Sequence, residues 1–150
     1  MKRIICIGNR YSALDSAGPA VYDLLAQRQL QSGLELIDGG LGGLNLIPLF
    51  EGVERVVLVD AISGFTRDAE PVILDPREIA LQADEAYGHA AGLPFLLRML
   101  PEVLEGEMPQ VVVVGIEGHQ DASGIARAAD LAERLAVEGT CLEVGNAQEA

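Results

Sequence analysis

The run Gln110-Val111-Val112-Val113-Val114-Gly115-Ile116 decides the fold. Its residues are apolar one after another rather than alternately, so both faces of the strand must be covered. Such strands belong to parallel sheets with helices on either side. A second run, Arg55-Val56-Val57-Leu58-Val59-Asp60, is strongly β-branched and closes on a carboxylate. The start, Met1-Lys2-Arg3-Ile4-Ile5-Cys6-Ile7-Gly8, holds a third apolar run. That run is too short for the apolar core of a signal peptide and leads straight into a glycine turn. It reads as a strand over 2–7, and the protein is expected to stay in the cytoplasm.

Helical patterns lie between these runs. Over 19–31, Pro19 sits where a first turn tolerates it, Val21, Leu24, Leu25 and Leu30 recur at helical spacing, and Gly33 follows. A short strand is expected over 34–37, ending at Asp38-Gly39-Gly40, and a short helix over 44–50. Residues 71–74 read as a weaker strand, placed at an edge by Pro71. The dense apolar pattern over 92–100 predicts a helix with Pro94 in its first turn. The amphipathic stretch over 122–137 predicts another, stopped by Gly139. This alternation of strand and helix implies one α/β domain over 1–150. Its expected architecture is a three-layer sandwich, a twisted, mostly parallel sheet of about five strands with helices on both faces.

Composition excludes several classes of function. With 49% apolar and 22% charged residues the chain is that of a globular protein, and no apolar stretch approaches the ~20 residues of a membrane span. Twenty-three acidic side chains against 10 basic ones give a net charge of −13, which argues against nucleic-acid and anionic membrane partners. The same charge can steer a cation or a basic peptide toward the protein. Cys6 and Cys141 lack a Cys-x-x-Cys partner and read as buried, inert thiols.

In a parallel sheet, the loops that leave the carboxyl ends of the strands form the binding crevice. Asp15 follows the first strand, Asp38 ends the second, Asp60 ends the third and Glu117 follows the strand from Gln110. All four are expected on one rim. Each has a plain structural reading as well. Asp15 could favour a helix N-terminus, Asp60 could cap a turn, and Asp38 precedes the commonest turn residue. His89, in Tyr87-Gly88-His89-Ala90-Ala91-Gly92-Leu93, could cap a surface helix. His119, in Glu117-Gly118-His119-Gln120, could be solvated. Taken together, Asp15, Asp60 and His89 would supply two hard oxygens and one imidazole to a divalent ion such as nickel or zinc, with positions left open. The turn from Gly8 to Gly18 lacks the G-x-G-x-x-G spacing, and no Gly-x-Ser-x-Gly elbow supports a serine triad.

An ordered set of short motifs resembles the hydrogenase maturation endopeptidases. It comprises Gly8-Asn9 with a following acidic residue and Gly18, Asp38-Gly39-Gly40 with Gly43-Leu44, Val59-Asp60-Ala61, His89-x-x-Gly92-Leu93, and Val114-Gly115-Ile116. The resemblance implies an endopeptidase that removes the C-terminal extension of the nickel-loaded [NiFe]-hydrogenase large-subunit precursor. It implies that Asp15, Asp60 and His89 bind the metal and act in catalysis, with nickel supplied by the substrate. Asp38, Gly39 and Gly40 would bind the substrate tail, and the protein would act as a monomer. A non-cleaving checkpoint protein that docks on the immature subunit would use the same three ligands. The chain departs from the family pattern at Leu14, where an acidic residue is usual, and at Leu41, where Thr is common. It also has a short segment after Gly115.

Overall fold

The computed structural model describes residues 1–62, 70–81, 92–118 and 120–139. The strands are β1 (Lys2–Ile7), β2 (Leu34–Gly40), β3 (Arg55–Ile62), β4 (Val72–Leu74) and β5 (Gln110–Glu117). The helices are α1 (Ala17–Leu25), α2 (Pro76–Ala80), α3 (Leu93–Val103) and α4 (Ala122–Glu138), with a 3-10 helix over Leu44–Phe50. The strands form one sheet in the order β2-β1-β3-β5-β4. β1 pairs in parallel with β2 and β3, β3 in parallel with β5, and β4 runs antiparallel to β5 at the edge. The expected α/β architecture is therefore observed, with β3 in the middle of the sheet. β5 is interior too, flanked by β3 and β4.

Strand alternation sends consecutive residues to opposite faces, and each face has its own core. On one side Ile4, Cys6, Val57, Val59, Val112 and Val114 pack against Val21 and Leu25 of α1 and the alanine stripe Ala128, Ala129 and Ala132 of α4. On the other, Ile5, Val56, Leu58 and Val113 meet Phe50 and the α3 residues Leu96 and Leu100. These side chains are almost wholly withdrawn from solvent. Their burial is the main stabilising term, at roughly 1.5–3 kcal/mol per large aliphatic group. Among the described residues, no helix is long and apolar enough to cross a membrane.

The ends of the sheet are fastened by polar contacts. Arg55 Nη1 donates to the carbonyl oxygens of Ala136 (2.8 Å) and Val137 (3.4 Å), and Lys2 Nζ donates to Val137 O (3.2 Å). Both cations thus satisfy carbonyls left open at the C-terminus of α4, where the helix dipole favours positive charge. Gly139, at φ +86°, ends α4 as expected. Its N-terminus is capped by Asp121, whose carboxylate accepts from Gly124 N–H at 2.8 Å.

Helix boundaries shifted where distant parts of the chain intervene. α1 begins at Ala17 and stops at Leu25, short of the expected 31. Its last turn tightens through Gln27 N–H to Leu24 O and Arg28 N–H to Leu25 O. Arg28 is then held by Asp130 and Glu133 of α4, both at 2.8 Å, and Leu30 packs on the core from outside the helix. α2 was not expected, although its cap is local: Asp75 Oδ1 accepts from Arg77 N–H at 2.9 Å, and Pro76 opens the helix.

α1 starts almost on top of the end of β1. A Cβ on Gly18 would collide with the Ile7 carbonyl, so only glycine allows this approach. Gly18→Ala is expected to cost about 1–3 kcal/mol through overpacking against rigid backbone. Urea unfolding should show the loss as a lower midpoint at unchanged slope, and an unaltered midpoint would contradict the close approach.

Candidate functional site

The site lies where the chain leaves neighbouring strands toward opposite faces. After β1 it enters α1 on one side of the sheet. After β3 it passes through β4 to α2 and α3 on the other. Divergence of this kind opens a crevice at the carboxyl ends of the two strands.

The loop over 8–16 is folded on itself above that crevice. Asn9 N–H donates to Asp15 O at 2.8 Å, Asp15 N–H to Ser12 O at 3.0 Å, Ser12 N–H to Asn9 O at 3.1 Å and Tyr11 N–H to Asn9 Oδ1 at 2.9 Å. Gly8 makes the fold possible. At φ +151° its missing side chain leaves room for the Asp15 carbonyl and the Pro19 ring. Gly8 N–H also donates to Gly40 O at 2.7 Å, which ties this loop to the end of β2. Asp15 therefore stands just outside α1, whose N-cap is Ser16, and does not belong to its first turn.

Asp60 does not cap a turn. β3 continues to Ile62, and Asp60 pairs in register with Gly115 of β5. Ile62 folds over Gly115, where a side chain would collide with it. Part of the Asp60 residue reaches the surface, yet its carboxylate sits deep among protein atoms. Burial pushes its pKa well above the ordinary carboxylate range, and the negative charge of Asp15 pushes it further. The Ala61 N–H, which donates to Asp60 Oδ1 at 2.8 Å, opposes the shift. Asp15 is raised as well, by burial first, with the Asn9 backbone N–H working against it. A buried carboxylate on β3 thus feels the charge of a partly buried one in the loop after β1. A proton or a bound cation relieves both terms.

The other candidates are placed as follows. Asp38 shares the rim, but its Oδ1 accepts from Gly40 N–H at 3.0 Å in a local turn, and Arg10 approaches its Oδ2 at 3.8 Å. β2 extends through this residue to Gly40. Gly40, at φ +58°, has open space where a side chain would begin, although its N–H and carbonyl are bonded to Asp38 and Gly8, whereas Gly39 is buried against Ile5, Cys6 and Ile7. Glu117 ends β5 on the same rim, and its carbonyl accepts from Gln120 Nε2 at 2.9 Å. His89 and His119 lie outside the described residues, as does Cys141. Gly92, the N-cap of α3, has its nitrogen 3.9 Å from the position of a Cβ on Gly43. Among the described residues, no group of three His, Cys, Asp or Glu side chains converges. Cys6 is buried and its thiol is pushed up to about 12, by burial and by Asp38 and Asp23, as expected of an inert cysteine.

Arg10 is the residue that sequence reasoning passed over. It donates to both Asp23 oxygens, at 3.1 and 3.4 Å, while facing Asp38. A lone cation inside an acidic loop cluster was the available signal.

The profile of the HycI family, described as hydrogenase maturation protease, matches residues 19–134. The chain belongs to the hydrogenase maturation protease family. The matched stretch contains Asp38, Asp60 and position 89, and begins after Asp15. The fold is also that of solved structures. The hydrogenase maturating endopeptidase HybD from E. coli superposes with a TM-score of 0.69 at 23% identity, over 97% of this chain and 94% of that one. The [NiFe] hydrogenase maturation protease HycI from Thermococcus kodakarensis gives 0.67 at 22% identity, over 90% and 89%. HybD from the same organism gives 0.63 at 25% identity, over 91% and 99%. Comparison with curated proteins gives no significant match.

The charge at Asp60 carries a stability consequence. An acid whose pKa is raised on folding holds its proton more tightly in the native state. The stability it contributes is fully present below the ordinary carboxylate pKa and is lost as pH rises through the raised value. Asp60→Asn keeps the acceptor for Ala61 N–H and removes the charge. Thermal melts should show the variant more stable than the parent at about pH 8, with the gap narrowing toward about pH 5. A gap that stays constant or widens on acidification would contradict the raised pKa.

Proposed function

We propose that this protein is a processing endopeptidase that removes the C-terminal extension of a nickel-loaded [NiFe]-hydrogenase large-subunit precursor. Family membership supplies the maturation protease activity. The observation that carries the reading is Asp60, a buried strand-end carboxylate whose pKa is raised further by the charge of Asp15 from the loop after β1. Such a pair is poised for a divalent cation. Two hard oxygens with an imidazole from His89 suit nickel and leave coordination positions open.

In this reading the metal arrives with the substrate. Asp15, Asp60 and His89 hold the precursor's nickel, and this fixes the extension over the rim. Nickel so placed can polarise a peptide carbonyl or a water molecule. Asp38 keeps its loop in shape through Gly40 N–H and Arg10, while the open space beside Gly40 is available to the tail. The net charge of −13 favours approach of a cationic centre.

Nickel-loaded precursor incubated with this protein should lose its extension, as read by mass spectrometry, and nickel-free precursor should not. Asp60→Asn and Asp15→Asn should each slow cleavage by at least about 100-fold, since even outer-shell changes at metal sites cost 10–100-fold. Equal cleavage by the parent and Asp60→Asn would remove Asp60 from the site. A stable complex whose precursor keeps its extension would identify a checkpoint protein instead.

A further inference from the structure

Two loops at the carboxyl ends of β1 and β2 turn large apolar side chains outward. In the first, Tyr11 is 92% exposed and Leu14 88%; in the second, Leu41 is 71% exposed, and Leu44, which opens the 3-10 helix, is exposed as well. Single exposed leucines need no explanation, but these four side chains stand on segments that are tied to each other. Gly8 N–H donates to Gly40 O at 2.7 Å, Arg10 Nη2 stands 3.8 Å from Asp38 Oδ2, and a Cβ on Gly42 would lie 3.1 Å from Ile7 Cγ2.

The exposure is built into the backbone. Asn9 fixes the first loop, since its N–H donates to Asp15 O and its side-chain oxygen accepts from Tyr11 N–H. In the second, Gly39 is buried against Ile5 and Ile7 and Gly42 faces Ile7, while Leu41 between them points to solvent. Gly40, Gly42 and Gly43 hold φ of +58°, +76° and +105°, conformations that a leucine rarely adopts. Small residues thus face in and the large apolar one faces out, the reverse of the ordinary pattern. Apolar side chains kept in water contribute nothing to the free protein, whereas a partner that covers them gains their burial.

Position and shape restrict the occupant. Leu14 directly precedes Asp15, and the strand ends that lead to Leu41 and carry Asp60 flank β1, two strand spacings or about 10 Å apart. One partner therefore meets apolar side chains and carboxylates together, and its complementary face sets a cation beside an apolar patch. Side chains as exposed as Tyr11 and Leu14 stand proud of the surface and need hollows to receive them. A folded body offers such hollows, whereas an extended tail needs a groove to lie in. We infer that Tyr11, Leu14, Leu41 and Leu44 form a docking surface for the folded body of the metal-bearing precursor, beside its cationic centre, and that they hold this body rather than the tail that is removed. The inference rests on the endopeptidase reading above.

Leu14→Ser combined with Leu41→Ser removes apolar surface from both loops, Tyr11→Ser does so independently, and Met108→Ser does so at the opposite end of the sheet, just before β5. All four positions are exposed, so the unfolding midpoints should match that of the parent. The probes are folded nickel-free precursor and a synthetic peptide of its C-terminal extension, titrated by calorimetry. The double variant should bind nickel-free precursor at least about tenfold more weakly than the parent, and Tyr11→Ser should weaken it in the same direction, with Met108→Ser unchanged. The ratio should persist in about 1 M salt, where charge attraction is screened within about 3 Å. With nickel-loaded precursor, the double variant should raise KM by a similar factor and leave kcat within about twofold. No binding of nickel-free precursor by the parent, equal binding by parent and double variant, or an equal loss with Met108→Ser would overturn the docking surface. A matching loss with the tail peptide alone would overturn it too, by making these side chains a site for the tail. Binding of nickel-free precursor needs neither metal nor cleavage, so those results bear on docking alone. Absence of processing of nickel-loaded precursor by the parent removes the endopeptidase reading instead.

Discussion

Asp60 is held with its carboxylate buried and exposed to the charge of Asp15, and much of the surrounding structure keeps it there. Like charges at short range in a poorly solvated notch repel, and each carboxylate also loses hydration energy. Local donors answer only part of this: Ala61 N–H for Asp60 and the Asn9 backbone for Asp15. The remainder is borne by the two apolar cores. Destabilised charge at a binding site is a familiar feature of functional centres, because the incoming ligand supplies the missing stabilisation.

The arrangement depends on backbone proximity as much as on side chains. β3 sits in the middle of the sheet, paired on both sides, so Asp60 has a rigid seat. Asp15 has no such ladder. It is positioned by the self-bonded loop over 8–16, by the absence of a side chain at Gly8 and Gly18, and by the link from Gly8 to Gly40. A larger residue at either glycine would lift the loop from the sheet and carry Asp15 away from Asp60.

β1, β3 and β5 were legible because burial on both faces writes an uninterrupted apolar run, and β1, β2 and β5 end at or just before a glycine. Helix ends were less so. The cap of α2, Asp75-Pro76-Arg77-Glu78, stood in the sequence, but the helix it opens is too short to show an apolar period. The stop of α1 had no nearby glycine or proline to announce it. It coincides with Arg28 reaching Asp130 and Glu133, more than a hundred residues away. The bond from Gly40 N–H to Asp38 is local to Asp38-Gly39-Gly40, whereas Arg10 beside it went unnoticed because only the folded chain brings the two together.

What the sequence by itself determined was the layered α/β fold, the inert Cys6 and the gathering of Asp15, Asp38, Asp60 and Glu117 at one end of the sheet. Periodicity and apolar runs encode which faces are buried, and parallel strands then send their following loops to a common rim. Only the tertiary structure decided which of those acids interact. It sets the charge of Asp15 against the buried Asp60 carboxylate and ties Asp38 to Arg10. The physical reason is range. Burial patterns are local and repeat along the chain, whereas desolvation and charge coupling depend on approaches of a few ångströms between segments far apart in sequence.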